Sequence, residues 1–237
     1  MRSSRSAPDP LDPGPAGFAH RGLHGPGVPE NSLAAFAAAI DRGAGIECDL
    51  RLTADGVPMV FHDRDATRLC GSPLLLSRSR SADLARLRLT DTAEPIPTLA
   101  GLLDLVACRV PLLLEVKVEA NAARFATAVL AALADYGGPV GVMSFAAGVA
   151  HSLKRKAPYV RRGLVLAGRD SAFARWHKMR RADPHFLAIE QSELGQPWAH
   201  AARTRLPLYS WTVRSPADRD RASPNADALI WEADGRQ

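Results

Sequence analysis

Residues 45–63 read GIECDLRLTADGVPMVFHD, and no other stretch of the chain carries as strong a structural signal. Asp55-Gly56 separates two alternating apolar runs, which is typical of a β-hairpin because Asp and Gly tolerate the positive φ of a tight turn. With these two residues as the loop, Asp49 lies opposite His62. Side chains alternate along a strand, so Glu47, Asp49 and His62 are expected to share one face. A solvated polar face would alternate in the same way, and the rest of the chain decides between the two interpretations.

Similar motifs occur elsewhere, where short apolar runs end in charged residues: FAHRG at 18–22, PENS at 29–32 and LLLEVK at 112–117. Such ends are typical of strands that carry catalytic groups at the mouth of a parallel barrel. Taken in order, HRG, PENS, ECDLRLTADG, VFHD and LEVK resemble the glycerophosphodiester phosphodiesterase family. The resemblance covers residues 18 to 117, with weaker similarity at Ser144-Phe145 and Trp211-Thr212-Val213.

The rest of the chain alternates strands and helices in the pattern of parallel βαβ units. Eight strands remain when the return arm of the hairpin is set aside, and the resemblance implies a TIM (β/α)8 barrel, which suits 237 residues. Residues 63–97 are predicted to be a small insertion after the second strand, with one short helix near Ala82 to Leu87. This insertion is either a lid or a surface excursion.

The two ends of the chain depart from a regular barrel. Residues 1–15 are rich in Pro and Gly and are predicted to be a flexible tail, with residues 16–237 as a single barrel domain. Only five residues follow Glu232, so we expect the C-terminal helix to be truncated. The barrel wall left open there would be covered by the N-terminal tail or by a second subunit in a homo-oligomer.

Composition restricts the partners and the compartment. The net charge of +5 is spread over many arginines rather than gathered in one run, so no nucleic-acid partner is expected. Cys48, Cys70 and Cys108 form no C-x-x-C pair and are interpreted as reduced thiols of a cytoplasmic protein. No run approaches the roughly 18 apolar residues of a membrane helix, so no stable membrane insertion is expected.

Three carboxylates suggest a metal site. Glu47, Asp49 and Glu115 are hard oxygen donors at the ends of adjacent predicted strands, which suits Mg²⁺ or Ca²⁺ rather than zinc. Ordinary ion pairs with Arg21, Arg51 and Lys117 are the alternative. Acids gathered this closely would repel one another without a cation, which favours the metal.

His20 and His62 are the candidate acid-base pair. Cleavage of a diester needs one group to take a proton from the attacking hydroxyl and another to give one to the departing alcohol, and the imidazole pKa lies near neutrality. The resemblance assigns both histidines this role. Which of them is the base in the first step stays open.

Cationic and aromatic residues are candidates for substrate binding. Arg21 and Lys117 point toward the same mouth and can hold phosphate oxygens, although each could equally pair with a neighbouring acid. Trp211 could pack on a glycerol moiety or be a core residue.

Three further residues are expected to support the site. Gly22 would let the backbone turn sharply beneath it. Glu30 and Asn31 resemble the family's P-E-N block, in which the acid supports the histidine and arginine. Helix capping is the competing explanation for Asn31.

The resemblance implies an enzyme of lipid and glycerol metabolism that hydrolyses a small glycerophosphodiester to sn-glycerol 3-phosphate and an alcohol. It also implies attack by the glycerol 2-hydroxyl, giving a cyclic phosphate that water later opens. One alternative is a phospholipase D-like enzyme acting on lysophospholipids or sphingolipids, which would need an exposed apolar surface such as Leu74-Leu75-Leu76. The other is a non-catalytic barrel that binds phosphate esters.

Overall fold

A closed barrel of parallel strands forms the centre of the computed structural model, which describes residue 9 and residues 11–236. The sheet order is β1-β9-β8-β7-β6-β5-β4-β2-β3, and pairing of β1 with β2 closes the ring. The strands are β1 (Phe18–His20), β2 (Gly45–Leu52), β3 (Pro58–Val60), β4 (Leu112–Val116), β5 (Val140–Ser144), β6 (Arg161–Leu166), β7 (Phe186–Glu190), β8 (Leu208–Val213) and β9 (Ala228–Trp231). Only β3 pairs antiparallel, so the other eight confirm the predicted TIM barrel.

Helices connect the parallel strands, as predicted. They are α1 (Leu33–Asp41), α2 (Thr67–Cys70), α3 (Ser81–Leu84), α4 (Leu99–Val106), α5 (Ala122–Ala132), α6 (Ala147–Lys156), α7 (Ala172–Ala182), α8 (Pro197–Arg203) and α9 (Pro216–Ala222). Side-chain caps fix several starts: the Ser32 hydroxyl accepts from the Ala35 amide, and Thr98 accepts from Gly101. In the part of the chain that the structure describes, no helix is long and apolar enough to cross a membrane.

Alternation along each strand separates two cores. On β2, Ile46, Cys48 and Leu50 point outward and pack in the large layer between barrel and helices. Glu47 and Asp49 point inward on the same strand and are equally buried. The barrel interior is therefore filled by the inward-facing side chains of the strands, which include both acids and apolar residues.

The amino-terminal end of the barrel is sealed by apolar side chains, and we call this cluster the closed end. It comprises Leu11, Phe18, Leu113, Met143, Val165, Phe186, Ala188, Tyr209, Ala228 and Ile230. The Tyr209 ring lies 5.6 Å from that of Phe18 and 5.1 Å from that of Phe186, between centroids. The Phe186 ring fits because β6 carries Gly163 there: a Cβ at that residue would lie 2.3 Å from it.

Within the segment 1–15, predicted to be a flexible tail, the structure places Leu11 against the barrel. Leu11 is fully buried in the closed end, and an Asp9 carboxylate oxygen lies 2.5 Å from Arg161 Nη2. The proline-rich composition indicated a loose segment, but burying one leucine side chain contributes about 1.5–3 kcal/mol and anchors it. Residues 1–8 and 10 lie outside the described residues.

The predicted hairpin forms, but its register is wrong by one residue. Leu50 pairs with Val60, and the Phe61 amide donates to the Asp49 carbonyl at 2.9 Å, so Asp49 lies opposite Phe61 rather than His62. The loop has three residues, because Gly56 at φ 86° donates to the Thr53 carbonyl. A three-residue loop ending in a left-handed glycine replaces the two-residue turn assumed from Asp55-Gly56.

The insertion at 63–97 contains more structure than the single predicted helix. It folds into α2, a 3-10 turn over Leu76–Arg78, and α3, which is shifted from the expected Ala82 to Leu87. A separate small core holds it, made of Met59, Phe61, Leu76, Leu84, Leu89 and Ile96. Leu76 is fully buried, so Leu74-Leu75-Leu76 is not the exposed apolar surface considered from the sequence.

The barrel ends in a short turn where a final helix was expected to be truncated. Residues Ala233–Arg236 form a 3-10 turn, and Arg219 of α9 donates to the Gly235 carbonyl at 2.8 Å. The Trp231 indole N–H donates to the Ala16 carbonyl at 2.7 Å, which ties β9 to the segment before β1.

Candidate active site

Three carboxylates meet at the carboxyl end of the barrel, which we call the catalytic end. The parallel register aligns His20 with Glu47 and Asp49 with Glu115, so β1, β2 and β4 bring these residues together. All three acids are buried, and one ligand oxygen from each lies within 4.8 Å of the others. The predicted acid triad is therefore present as a compact cluster.

Two cations share this cluster unequally. Lys117 Nζ lies 2.6 Å from Glu115 Oε1 and 3.0 Å from Asp49 Oδ1, and Arg21 Nε lies 3.1 Å from Asp49 Oδ2. Against the effect of burial, Lys117 and Arg21 hold the pKa of Asp49 well below its usual range. Lys117 and Arg21 thus form ion pairs with the acids, the alternative raised from the sequence. The same two side chains are the candidates for contacts with phosphate oxygens.

The negative charge of Glu47 is balanced by neighbouring positive charge much less than that of Asp49. Its Oε2 accepts from the Arg21 backbone N–H at 3.3 Å and lies 3.9 Å from His20 Nε2. Burial, then Asp49 and Glu115, raise the pKa of Glu47, and burial also raises that of Glu115. A buried carboxylate with little positive charge around it suits a hard divalent cation, because the ion would supply the missing positive charge.

His20 is oriented by a residue that the sequence analysis did not assign. The His20 Nδ1 lies 2.5 Å from Glu232 Oε2, just after β9. Burial opposes ionisation of Glu232, but the contact with His20 and the His24 imidazole 3.8 Å away hold its pKa far below its usual range. An ionised carboxylate only accepts, so His20 Nδ1 carries a proton and Nε2 faces Glu47.

His62 has a similar arrangement on the other side of the acids. Its Nδ1 lies 2.8 Å from Asp63 Oδ1, while its backbone carbonyl accepts from Arg51 Nε at 2.9 Å and Nη2 at 2.7 Å. Burial lowers the pKa of His62, with Asp49 opposing. His62 lies two residues after Val60, the end of β3, and its positive charge helps to lower the pKa of Asp49.

A chain of ion pairs connects the two histidine regions. Arg21 Nη1 contacts Glu30 Oε1 at 2.7 Å, Arg68 of the insertion contacts the same oxygen at 2.7 Å, and Arg68 Nε reaches Asp63 at 2.7 Å. Glu30 therefore holds Arg21 by an ion pair. The insertion reaches the site through Arg68.

Asn31 orients the central acid. Its Nδ2 donates to Asp49 Oδ2 at 3.0 Å, its Oδ1 accepts from the Asp49 amide at 3.3 Å, and Ser32 instead caps α1. Helix capping by Asn31 is thereby excluded. Gly22 adopts φ 81°, and a Cβ there would lie 2.8 Å from Ala35, so the turn beneath the site requires glycine.

A cavity of about 390 Å³ opens beside the acids and is lined by Arg51, Arg64, Glu115, Lys117, Phe145 and Arg169, among others. Trp211 packs edge-on against Phe145, with ring centroids 5.6 Å apart, and is neither fully buried nor part of that lining. The Ser144 hydroxyl donates to the Val116 carbonyl at 2.6 Å.

Glu232, Asp63 and Arg68 were not assigned from the sequence. Asp63 directly follows His62, and Glu232 directly follows the last barrel strand, which is where catalytic side chains of a TIM barrel are found. That positional signal could have identified both carboxylates. Arg68 carried no comparable signal, because only the folded insertion brings it to Glu30.

These groups suit one kind of chemistry: oxygen donors that can hold a divalent cation, fixed cations for phosphate oxygens, and imidazoles with one nitrogen free for proton transfer. Fold and site together define a TIM-barrel hydrolase of phosphate esters. The chain belongs to the glycerophosphoryl diester phosphodiesterase family, whose model matches residues 20–230. The prediction of a glycerophosphodiester phosphodiesterase is confirmed at this level.

Individual relatives agree with the family match. A glycerophosphodiester phosphodiesterase of Caldanaerobacter subterraneus is 25% identical over 217 residues, covering 86% of this chain and 88% of that protein. One of Bacillus altitudinis is 33% identical over 115 residues, so the match spans about half of each protein. A phosphodiesterase structure of Oleispira antarctica in complex with the product sn-glycerol-3-phosphate has a TM-score of 0.81 at 24% identity, covering 92% and 93% of the chains, which shows a shared fold.

Proposed function

We propose that this chain is a divalent-cation-dependent enzyme that hydrolyses glycerophosphodiesters to sn-glycerol 3-phosphate and an alcohol. The observation that carries the proposal is the buried triad of Glu47, Asp49 and Glu115, whose ligand oxygens lie within 4.8 Å of one another. The family match and the named relatives support the substrate class.

Glu47, Asp49 and Glu115 would hold the ion, Mg²⁺ or Ca²⁺. When bound, the ion would polarise phosphate oxygens and lower the pKa of a nearby hydroxyl. Arg21 and Lys117 would hold further phosphate oxygens, because a guanidinium and an ammonium each donate charged hydrogen bonds. In that role the two side chains would balance the negative charge of the substrate phosphate as well as that of Asp49.

His20 and His62 would move the two protons of the cleavage. One imidazole takes the proton of the attacking hydroxyl through its Nε2 as the new P–O bond forms, and the other gives a proton to the departing alcohol as the old P–O bond breaks. Glu232 and Asp63 support this role, because each binds Nδ1 and leaves Nε2 for the substrate. After the first step one imidazole has gained a proton and the other has lost one. The two can then exchange roles, so that the neutral imidazole takes a proton from the attacking water and the charged one gives its proton back.

The site offers no side-chain nucleophile among the described residues near the histidines. The Ser32 hydroxyl caps α1, Ser144 is bound to a backbone carbonyl, and Cys48 is buried in the outer core. The reaction is therefore expected to proceed without a covalent enzyme intermediate. The attacking oxygen is the glycerol 2-hydroxyl, which gains effective molarity because it belongs to the bound substrate.

A substrate analogue tests the identity of that oxygen. A 2-deoxy glycerophosphodiester should bind but be cleaved at least about a hundredfold more slowly, a loss of roughly 3 kcal/mol of transition-state stabilisation. Single-turnover rates with both substrates would measure this. Equal rates would instead favour direct attack by water and leave the roles of the acids and histidines unchanged.

The main experiment measures turnover of a small panel of glycerophosphodiesters, with and without excess EDTA. We expect release of sn-glycerol 3-phosphate that EDTA abolishes and that added Mg²⁺ or Ca²⁺ restores. Full activity in excess EDTA would contradict the cation, and absence of turnover across the panel with either ion would contradict the substrate class.

A further inference from the structure

An exposed aromatic pair lies on α7, outside the groups used for chemistry. The side chains of Phe173 and Trp176 are 74% and 55% exposed, and their ring centroids lie 5.9 Å apart. Only Ala182 of this helix is fully buried. Two large apolar side chains held together in solvent are unusual for a surface helix and indicate a contact surface.

The same face of the helix is cationic. Phe173, Trp176 and Arg180 follow the i, i+3, i+7 spacing of one helical stripe, and the Arg180 guanidinium lies 5.4 Å from the Trp176 ring. The sequence of α7 contains no acid. Among the described residues neither Arg180 nor Arg181 makes an ion pair, whereas Lys178 is bound to Asp170 at 2.5 Å.

The aromatic end of this surface adjoins the catalytic end. The loop after β6 carries Arg169, whose guanidinium lies 5.6 Å from the Phe145 ring and lines the cavity beside Glu115. Phe173 follows Arg169 by four residues. A molecule or surface bound to α7 would therefore lie beside the mouth of the cavity.

We propose that Phe173, Trp176, Arg180 and Arg181 form a docking surface for an anionic phospholipid bilayer. Aromatic side chains lie at the boundary between headgroups and acyl chains, and arginines near an anionic surface are attracted to it. Charge complementarity thus selects a negatively charged lipid surface over a neutral one. Such binding would be peripheral.

Co-sedimentation with vesicles tests the docking surface directly. The wild-type protein should bind vesicles of phosphatidylglycerol and phosphatidylcholine, bind pure phosphatidylcholine vesicles much less, and release them as salt is raised. The double variant Phe173→Ser, Trp176→Ser should bind the anionic vesicles at least about tenfold more weakly. Arg180→Gln with Arg181→Gln should weaken binding to a similar extent.

Tyr159 provides a matched control. It is an 83% exposed aromatic residue that precedes β6, at the opposite end of that strand from Arg169. Tyr159→Ser should therefore leave vesicle binding unchanged. Since Phe173 and Trp176 lie outside the proposed chemistry, their variants should keep wild-type turnover of a soluble glycerophosphodiester.

Several results would overturn the docking surface. These are failure of the wild-type protein to bind anionic vesicles, equal binding by the Phe173 and Trp176 double variant, or an equal loss in Tyr159→Ser. Sedimentation analysis showing a wild-type dimer that this double variant dissociates, without vesicle binding, would assign the surface to a second copy instead. Vesicle binding is measured without turnover, so failure of the proposed catalytic function would leave this test intact.

Discussion

Along β4, Leu113 and Glu115 both point into the barrel and both are buried, yet they belong to opposite ends of it. At the closed end, Leu113 packs with Leu11 and Phe186 and gains apolar burial. Two residues later, Glu115 lies among acids, where burial penalises its charge. One strand thus stabilises the fold at its start and holds costly functional groups at its end.

The two ends of the barrel should therefore respond differently to substitution. Changes at the closed end should lower stability and leave chemistry intact in the molecules that remain folded. Changes at the catalytic end should lower activity much more than stability, because the buried charges there oppose one another. Matched substitutions at the two ends can thus separate the contributions to stability from those to catalysis.

Glu115→Gln should have the largest effect. Removing one carboxylate of the triad should lower turnover at least about a thousandfold, roughly 4 kcal/mol in transition-state stabilisation. The rise in melting temperature on adding Mg²⁺ or Ca²⁺ should disappear, while circular dichroism shows a folded barrel. Leu113→Val on the same strand is the control: it should lower the melting temperature but keep the response to the ion. Near-normal turnover in the glutamine variant would remove Glu115 from the cation site.

Leu11→Ala should affect the closed end alone. Loss of a fully buried leucine that fills the barrel base should lower the free energy of unfolding by about 2–5 kcal/mol. Urea denaturation measures this loss, and turnover under native conditions should stay close to wild type. A loss below about 0.5 kcal/mol would mean that the segment before β1 contributes little to the barrel.

Glu232→Gln tests the orientation of His20. Without the carboxylate at 2.5 Å from Nδ1, the imidazole loses its fixed proton, and turnover should fall at least about tenfold with a shifted pH profile. Arg214→Gln is the matched control, since Arg214 contacts only the other oxygen of Glu232 and is 60% exposed. If both variants showed the same small change with an unshifted pH profile, Glu232 would have only a structural role.

A separate prediction concerns Glu47 and the pH dependence of stability. Its pKa is raised by burial and by Asp49 and Glu115, so the folded chain keeps a proton that the unfolded chain has already lost. Between the unfolded and the folded pKa, stability should therefore fall as pH rises, by about 1.4 kcal/mol for each pH unit within that interval. With EDTA present, wild type should lose stability from about pH 5 upward relative to Glu47→Gln. Parallel stability curves for the two proteins would contradict the raised pKa.

Sequence reasoning predicted the repeating elements well, because they depend on local patterns. The predicted alternation of helices and strands is present from α4 to β9, since apolar periodicity and caps such as Thr98 act within a few residues. The acid triad was found for the same reason, because Glu47 and Asp49 alternate with apolar residues and Glu115 follows the apolar run at 112–114.

Features that depend on distant contacts were missed or mistaken. The burial of Leu11 requires side chains from several strands, and the contact of Glu232 with His20 joins opposite ends of the chain. The hairpin register failed for a local reason, because Asp55-Gly56 suits a two-residue and a three-residue loop equally well. Only the backbone of the folded loop distinguishes them.

The contact between His20 and Glu232 has a consequence for synthesis of the protein. The first barrel strand supplies the imidazole, and the residue after the last strand supplies the carboxylate, so the pair cannot form until the ribosome has made all eight barrel strands. Domains of other folds can acquire working sites while translation continues. Here a nascent chain that stops before Glu232 lacks the carboxylate bound to His20, so this contact requires synthesis of the entire barrel.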